Sequence, residues 1–206
     1  MRGRFISFEG GEGVGKSTQV SLLCDVLHAR AIPYIKTREP GGTPNALAVR
    51  ELLVQGAHDR WDRDCELFLF LAARIDHWRK KILPALLAGQ WVVCDRFSDS
   101  TVAYQAYGYQ QDLYDILELH QKFLPDARPD CTIILDTDLK ISLSRARARS
   151  IDQRFERKEM EFHERVRNGF RHIAKQEPKR CKLVDASCAL HAVHAAILTH
   201  VEALIP

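Results

Sequence analysis

Short apolar runs alternate along the chain with longer stretches in which apolar positions recur every three or four residues. The short runs are Phe5-Ile6-Ser7-Phe8, Pro33-Tyr34-Ile35-Lys36, Trp91-Val92-Val93-Cys94, Thr132-Ile133-Ile134-Leu135 and Cys181-Lys182-Leu183-Val184. Those rich in β-branched residues read as buried strands of a parallel sheet. The longer patterns predict helices over 16–30, 44–56, 63–88, 99–122, 138–149, 156–176 and 189–204. In the third, Leu67, Leu71, Ile75, Trp78, Ile82 and Leu86 form a stripe. Leu69, Phe70 and Ala72 add apolar surface elsewhere, so this helix is expected to be buried on most of its circumference. Strands alternating with helices at this spacing predict an α/β sandwich, with ligands bound beyond the C-terminal ends of the strands. No repeat or Pro/Gly/Ser linker divides residues 1–206, which read as one domain.

Composition changes this picture little. With 46% hydrophobic and 28% charged residues, the chain is neither a disordered tail nor a fibrous or disulfide-scaffold protein. The longest run free of Asp, Glu, Lys and Arg, Ala186–Val201, holds three histidines and falls short of the ~20 apolar residues of a bilayer span. With no secretory signal visible, the expected location is the cytoplasm. The six cysteines have no zinc or Cys-x-x-Cys spacing and read as reduced thiols, mostly packed as small hydrophobes. His191 and His194 lack a third ligand nearby and read as ordinary helix-face residues.

Charge is informative by location. Arg145 to Arg167 holds eight basic residues against five acids, which accounts for the whole net charge of +3. Such a local patch suits a small polyanion better than a long one.

The strongest motif is Gly10-Gly11-Glu12-Gly13-Val14-Gly15-Lys16-Ser17, followed by Thr18. It matches Gly-x-x-x-x-Gly-Lys-[Ser/Thr] between a predicted strand and a predicted helix, the context this phosphate loop requires. Its glycines let backbone N–H groups turn around a phosphate, and the helix N-terminus adds favourable partial charge. Lys16 would neutralise the β- and γ-phosphates and the Ser17 hydroxyl would hold Mg²⁺. The fold class is therefore expected to be a P-loop NTPase-type three-layer sandwich, a parallel sheet of about five strands flanked by helices.

Four further clusters fall at strand ends or in helical segments. Trp91–Cys94 ends in Asp95-Arg96, a carboxylate suited to Mg²⁺ beside a planar fork for a second phosphate; taken alone, the pair also fits a surface ion pair. Thr37-Arg38-Glu39-Pro40-Gly41-Gly42-Thr43 enforces a turn that holds Arg38 at the second strand's end. Phe70 and Arg74, four apart, share a helix face and could stack on a base and bond its edge. Arg145, Arg147 and Arg149, then Arg154, fit either a solvated charged helix or a mobile arginine-bearing flap over about 145–157. The Asn-Lys-x-Asp and Asp-x-x-Gly motifs of GTPases are absent from the sequence.

Together these residues resemble the bacterial thymidylate kinases across essentially the whole chain. The likeness rests on Phe8–Thr18, Thr37–Thr43, Phe70…Arg74, Asp95-Arg96-Phe97, Ser100–Gln105, Arg128-Pro129-Asp130…Leu135-Asp136 and the Arg145–Arg149 segment. It implies transfer of the γ-phosphoryl group of ATP to dTMP with Mg²⁺ as cofactor, by a homodimer. It implies that residues Gly10–Thr18 bind ATP, that Phe70 stacks on thymine and that Arg74 and Thr101 read its edges. Gln105 is counted among the residues that bind dTMP, Tyr104 would sit under the sugar and exclude a ribose 2′-OH, and Glu12 would lie near the 3′-OH. Arg38 and Arg96 would clamp the monophosphate, and Asp95 would help Mg²⁺. No arginine stands between Gly10 and Lys16, so the resemblance assigns the transferring phosphoryl group to Arg149, with Arg154, in the lid. Asp185-Ala186-Ser187 resembles the loop that packs against adenine. Two departures stand out: Phe97 where many relatives carry Tyr or His, and Ser150–Gln153 within the lid.

The alternatives are a kinase acting on dUMP, UMP or thymidine, and an ATP-dependent regulator that binds oligonucleotides through the arginine patch. The Arg38/Arg96 pair favours a monophosphate acceptor, and the acids interleaved with the arginines disfavour the oligonucleotide.

Overall fold

The computed structural model describes residues 2–57, 60–149 and 159–205. Five strands, β1 (Phe5–Glu9), β2 (Tyr34–Arg38), β3 (Trp91–Asp95), β4 (Cys131–Asp136) and β5 (Cys181–Asp185), form one sheet in the order β2-β3-β1-β4-β5. Every neighbouring pair is parallel. The five expected strands are all present, and the observed ones extend one or two residues further toward the C-terminal edge.

Alternation along the strands divides the side chains between two layers. Ile6, Phe8, Val93, Ile133 and Leu135 face a core closed by α1 (Lys16–Ala29) and α9 (Leu190–Val201). Phe5, Val92 and Cys94 face the other side, toward α3 (Arg63–His77) and its continuation through Trp78–Ile82 to α4 (Leu83–Leu87). Ile134 faces the same layer, covered by α8 (Met160–Gln176) and the segment Val102–Gly108. Phe5, Ile6 and Phe8 are fully buried, each worth roughly 1.5–3 kcal/mol of apolar transfer. Asp130 fixes the start of β4 against β1 by accepting the Phe5 N–H at 2.7 Å.

Three helices differ from expectation. The stripe on α3 is buried, but Phe68 (54% exposed) and Ala72 turn outward, so the helix has an outer face after all. It continues through one wide turn, where the Leu83 N–H bonds back to the Trp78 carbonyl; Pro84, lacking an N–H, follows directly. The expected helix 99–122 is three pieces: α5 (Ser98–Thr101), a π-helical Val102–Gly108, and α6 (Leu113–Phe123). The break is enforced at Gly108, where an added Cβ would lie 2.7 Å from the Phe162 ring, and at Gln110, whose φ is +61°. The expected helix 156–176 begins at Met160, and α7 spans Leu139–Arg149. Helix α2 (Pro44–Val54) starts with Pro44 after Thr43, whose hydroxyl accepts the Ala46 N–H at 3.1 Å.

Candidate functional site

The C-terminal ends of β1, β2 and β3 open into one cleft of about 320 Å³. On one side lies the loop between β1 and α1. Gly10 (φ +129°) and Gly13 (φ +70°) adopt conformations that side chains resist. A Cβ on Gly10 would lie 2.3 Å from the Leu135 carbonyl oxygen, and one on Gly13 would lie 1.8 Å from that of Ser142. The loop is thus packed against β4 and α7 at two points where only glycine fits. Lys16 Nζ donates to the carbonyls of Gly10 (3.1 Å) and Gly11 (2.6 Å), curling the ammonium over the loop mouth. Burial, reinforced by the Arg96 cation, lowers the Lys16 pKa to about 8.

Ser17 is the second residue of α1, and its hydroxyl donates to Asp95 Oδ2 at 2.6 Å across the cleft floor. A hydroxyl and a carboxylate side by side are the hard oxygen donors that Mg²⁺ takes when nucleotide phosphates and water complete its shell. Among the described residues no group of three or more His, Cys, Asp or Glu could form an all-protein metal cage.

Arg96 stands at the centre with φ +72°. Nη1 donates to the Gly10 carbonyl (2.9 Å) and Ser100 Oγ (3.1 Å), and Nη2 to Glu12 Oε1 (2.8 Å) and Tyr104 Oη (3.1 Å). Tyr104 Oη donates in turn to Glu12 Oε1 at 2.8 Å. Burial alone would raise the Glu12 carboxyl, but the Arg96 and Lys16 cations outweigh it and hold it at about 2. Burial lifts the Tyr104 hydroxyl well above its usual range, so it is a neutral donor here.

Two more arginines face the same space. Arg38 ends β2, exposed at the cleft rim. Arg50, on α2, reaches the cleft with Nη1 3.2 Å from the Pro40 carbonyl. Burial, then the Arg38 and Arg96 cations, lower its pKa to about 10. Arg50 was not singled out by sequence; a basic residue in an ordinary helix pattern carries no motif.

The far end of the cleft is lined by Phe70, Arg74, Thr101, Tyr104 and Gln105. Arg74 is 2% exposed and committed within the protein. Nε donates to Glu39 Oε2 (2.7 Å), Nη1 to Thr101 Oγ1 (2.8 Å) and His120 Nε2 (2.9 Å), and Nη2 to the Phe97 carbonyl (3.1 Å). Four of its five N–H groups therefore have partners among the described residues. Glu39 also accepts from His77 Nδ1 (3.0 Å), while His77 Nε2 meets Thr37 Oγ1 at 2.7 Å. Burial would raise Glu39, yet Arg74 and His77 hold it below the usual carboxylate range. Burial and the Arg74 cation lower His120 to about 4. Gln105 is bonded through Nε2 to Glu66 Oε1 at 3.1 Å. Phe97 is fully buried against Phe5 and Trp78, which explains why a ring without a hydroxyl serves at this position.

Of the residues expected at the site, the structure brings Gly10, Gly11, Glu12, Gly13, Val14, Gly15, Lys16, Ser17, Arg38, Phe70, Arg74, Asp95, Arg96, Thr101, Tyr104 and Gln105 together around the loop and cleft. Thr18 follows Ser17 in the first turn of α1, half-buried. The Asp185 carboxylate accepts the Ser187 N–H at 2.8 Å, a tight turn after β5. Arg154 and the Arg149 side chain, the two lid candidates, lie outside the described residues.

A phosphate loop on a parallel β2-β3-β1-β4-β5 sheet, facing a second cationic subsite, defines a P-loop nucleotide-kinase fold. The thymidylate kinase family model matches residues 8–197. A thymidylate kinase of Caulobacter vibrioides is 50% identical over 196 residues, covering 95% of this chain and 94% of that protein. One of Magnetococcus marinus is 46% identical over 203 residues, covering 98% and 97%. The crystal structure of thymidylate kinase from Ehrlichia chaffeensis superimposes with a TM-score of 0.78 at 36% identity, covering 97% of this chain and 98% of that one. The chain belongs to the thymidylate kinase family, enzymes that phosphorylate dTMP to dTDP with ATP.

Proposed function

We propose that this cleft carries out the family reaction as follows: ATP lies along Gly10–Thr18, dTMP lies between Arg96 and Phe70, and the γ-phosphoryl group passes between them to give ADP and dTDP. The observation that carries this assignment is the convergence of Arg38, Arg50 and Arg96 opposite Lys16, with the Arg50 pKa lowered by burial and then by the Arg38 and Arg96 cations. Like charges crowded at one point cost energy that a bound dianion recovers, and a phosphate monoester is such a dianion near neutral pH.

An oxygen of the dTMP phosphate attacks the γ-phosphorus in line; the new P–O bond forms as the bond to the β,γ-bridging oxygen breaks. The acceptor oxygen is already ionised, so the protein needs no general base and contributes positioning and charge stabilisation. Lys16 neutralises the donor phosphates, and Arg96, with Arg38 and Arg50, holds the acceptor phosphate. Ser17 and Asp95 would hold Mg²⁺, which would supply charge neutralisation for the nucleotide phosphates. Arg149, with Arg154, completes the charge compensation from the lid, as the family resemblance implies. Phe70 stacks on the base. Arg74 is oriented by Glu39 and Thr101 toward the base edge, and Tyr104 and Glu12 border the sugar, where a 2′-OH would meet the ring.

The exposed apolar side chains on α2, α3 and α6, among them Leu47, Phe68, Leu113 and Leu117, support a homodimer, which sedimentation velocity tests directly. Six free cysteines and the lack of any membrane-crossing helix among the described residues support a reducing, cytoplasmic setting.

The test is ADP release in a coupled assay with Mg-ATP and dTMP, dUMP, UMP or thymidine offered in parallel. Turnover mainly with dTMP is expected. Preference for thymidine would remove the phosphate role of the three arginines, and preference for UMP would overturn the assignment of Tyr104.

A further inference from the structure

Arg180 stands just before β5, outside every motif and far in sequence from the cleft. Its guanidinium nevertheless grips Asp99 with both ends, Nη1 to Oδ2 at 2.6 Å and Nη2 to Oδ1 at 2.8 Å. Nη1 also donates to Thr132 Oγ1 (2.7 Å), and Nε to Glu177 Oε2 (2.9 Å). Asp99 is 5% exposed and lies in the turn of α5 between Phe97 and Ser100.

That turn is pinned on its other flank by a second buried carboxylate. Glu9 accepts the Phe97 N–H at 2.6 Å and the Ser100 hydroxyl at 2.5 Å, and Ser100 Oγ accepts from Arg96 Nη1 at 3.1 Å. Ser7, Glu9 and Thr132 alternate onto this face of β1 and β4, with Ser7 Oγ and Thr132 Oγ1 2.8 Å apart, so the sheet presents a polar seam beneath α5. Burial, then the nearby Asp99 charge, push Glu9 up to about 8, which leaves Asp99 as the carboxylate charge beneath the turn. Arg96 leaves this turn with φ +72°, a backbone state that a side-chain-bearing residue keeps only when its surroundings fix it.

We propose that Arg180 is a positioning residue for the acceptor-phosphate clamp: by neutralising Asp99 under the α5 turn, it keeps Arg96 directed into the cleft. Without it, Asp99 is left as a buried, unpaired carboxylate beneath the α5 turn, and the turn that carries Ser100 and Arg96 shifts toward other cations, drawing Arg96 back from the phosphate. The inference rests on the assignment of Arg96 to the dTMP phosphate.

The experiment measures KM for dTMP and for ATP, kcat and the unfolding midpoint in R180M, R180K, D99N/R180M and R96M. R180M is expected to raise the dTMP KM about tenfold with the ATP KM within about twofold, as when a buried charge loses its partner. D99N/R180M, which removes both charges, is expected to recover the dTMP KM to within about threefold while still lacking the ion pair. R180K keeps the charge but loses the fork, so its dTMP KM should lie between wild type and R180M. A purely structural role would lower the unfolding midpoint, leave the two KM values in their wild-type ratio, and make the double variant no better than R180M; that pattern overturns the proposal. If R180M does not accumulate folded, an unchanged dTMP KM in folded R180K overturns it equally. R96M separates the premises: a wild-type dTMP KM there refutes the clamp itself, whereas a raised one with an unaffected R180M refutes only the role of Arg180.

Discussion

Replacing Glu39 by Gln isolates one charge at the base end of the cleft. The Glu39 and Arg74 side chains are each 3% exposed, with Oε2 2.7 Å from Arg74 Nε. Gln is nearly isosteric and can still accept from Arg74, and His77 can change tautomer to accept from the new amide. The hydrogen bonds are therefore replaceable, while the charge is not. Arg74 would become a buried cation without a counter-charge, a change that costs about 3–5 kcal/mol. With hydrogen bonds retained the lower figure applies, and at a urea dependence of ~2–3 kcal/mol per molar this moves the unfolding midpoint down by about 1–1.5 M. Arg74 should also shift off Thr101 and the Phe97 carbonyl, lowering kcat/KM for dTMP by at least about tenfold, equivalent to 1.4 kcal/mol. Because the folded Glu39 carboxyl sits below its usual value, its stabilisation exists above about pH 4.5 and is lost as pH falls through the folded value. The gap between wild type and E39Q should accordingly close in acid. A midpoint within about 0.2 M of wild type at pH 7 would show that the Arg74 charge is compensated elsewhere, and the reasoning would fail.

Three further outcomes are expected. R50M should raise the dTMP KM about tenfold or more, the worth of a charged hydrogen bond to phosphate, without lowering the melting temperature, since it relieves repulsion from Arg38 and Arg96; an unchanged KM removes Arg50 from the site. G13A should weaken ATP binding at least about tenfold and cost about 1–3 kcal/mol of stability, because its Cβ meets the Ser142 carbonyl at 1.8 Å on a backbone with φ +70°; wild-type ATP affinity in calorimetry would contradict the packing described. His120, folded at about 4 against an unfolded value near 6.5, stabilises the fold fully above pH 6.5 and progressively less toward pH 4, by on the order of 1–2 kcal/mol at pH 5. Denaturation of H120N from pH 7 to pH 5 should lack that slope, and parallel slopes for the two proteins would refute it.

The strands and the phosphate loop were legible because their signals are local. Apolar runs of four residues and a glycine pattern with a set spacing need no knowledge of what lies elsewhere in the chain. Glu39, Arg50, His120 and Arg180 were not legible, because each acquires its place from a partner distant in sequence. Arg180 and Asp99 are 81 residues apart, and Glu39 and Arg74 are 35 apart. The helix expected over 99–122 shows a different limit. Its apolar periodicity is genuine, but the close approach of Phe162 to Gly108 selects a wider turn that no propensity encodes. Similarly, the apolar residues around α3 could not reveal which of them would face outward, since Phe68 and Phe70 look alike in sequence and differ only in what the fold sets beside them.

The strand order also governs how the chain acquires this structure during synthesis. β1 is the first of the described elements along the chain and the middle strand of the finished sheet, paired on one side with residues 92–95 and on the other with residues 131–134. The contact that ties Phe5 to Asp130 spans 125 residues. At roughly 5–20 residues per second, the ribosome needs about 6–25 s to deliver that partner after β1 emerges. Until residues 92–95 emerge, a strand with Phe5, Ile6 and Phe8 has no partner, and until residues 131–134 follow, the loop after it has no β4 backbone to pack on. The phosphate loop therefore gains its β4 support only once β1 has acquired its second neighbour, so a nucleotide site on β1 waits for a strand more than 120 residues further along the chain.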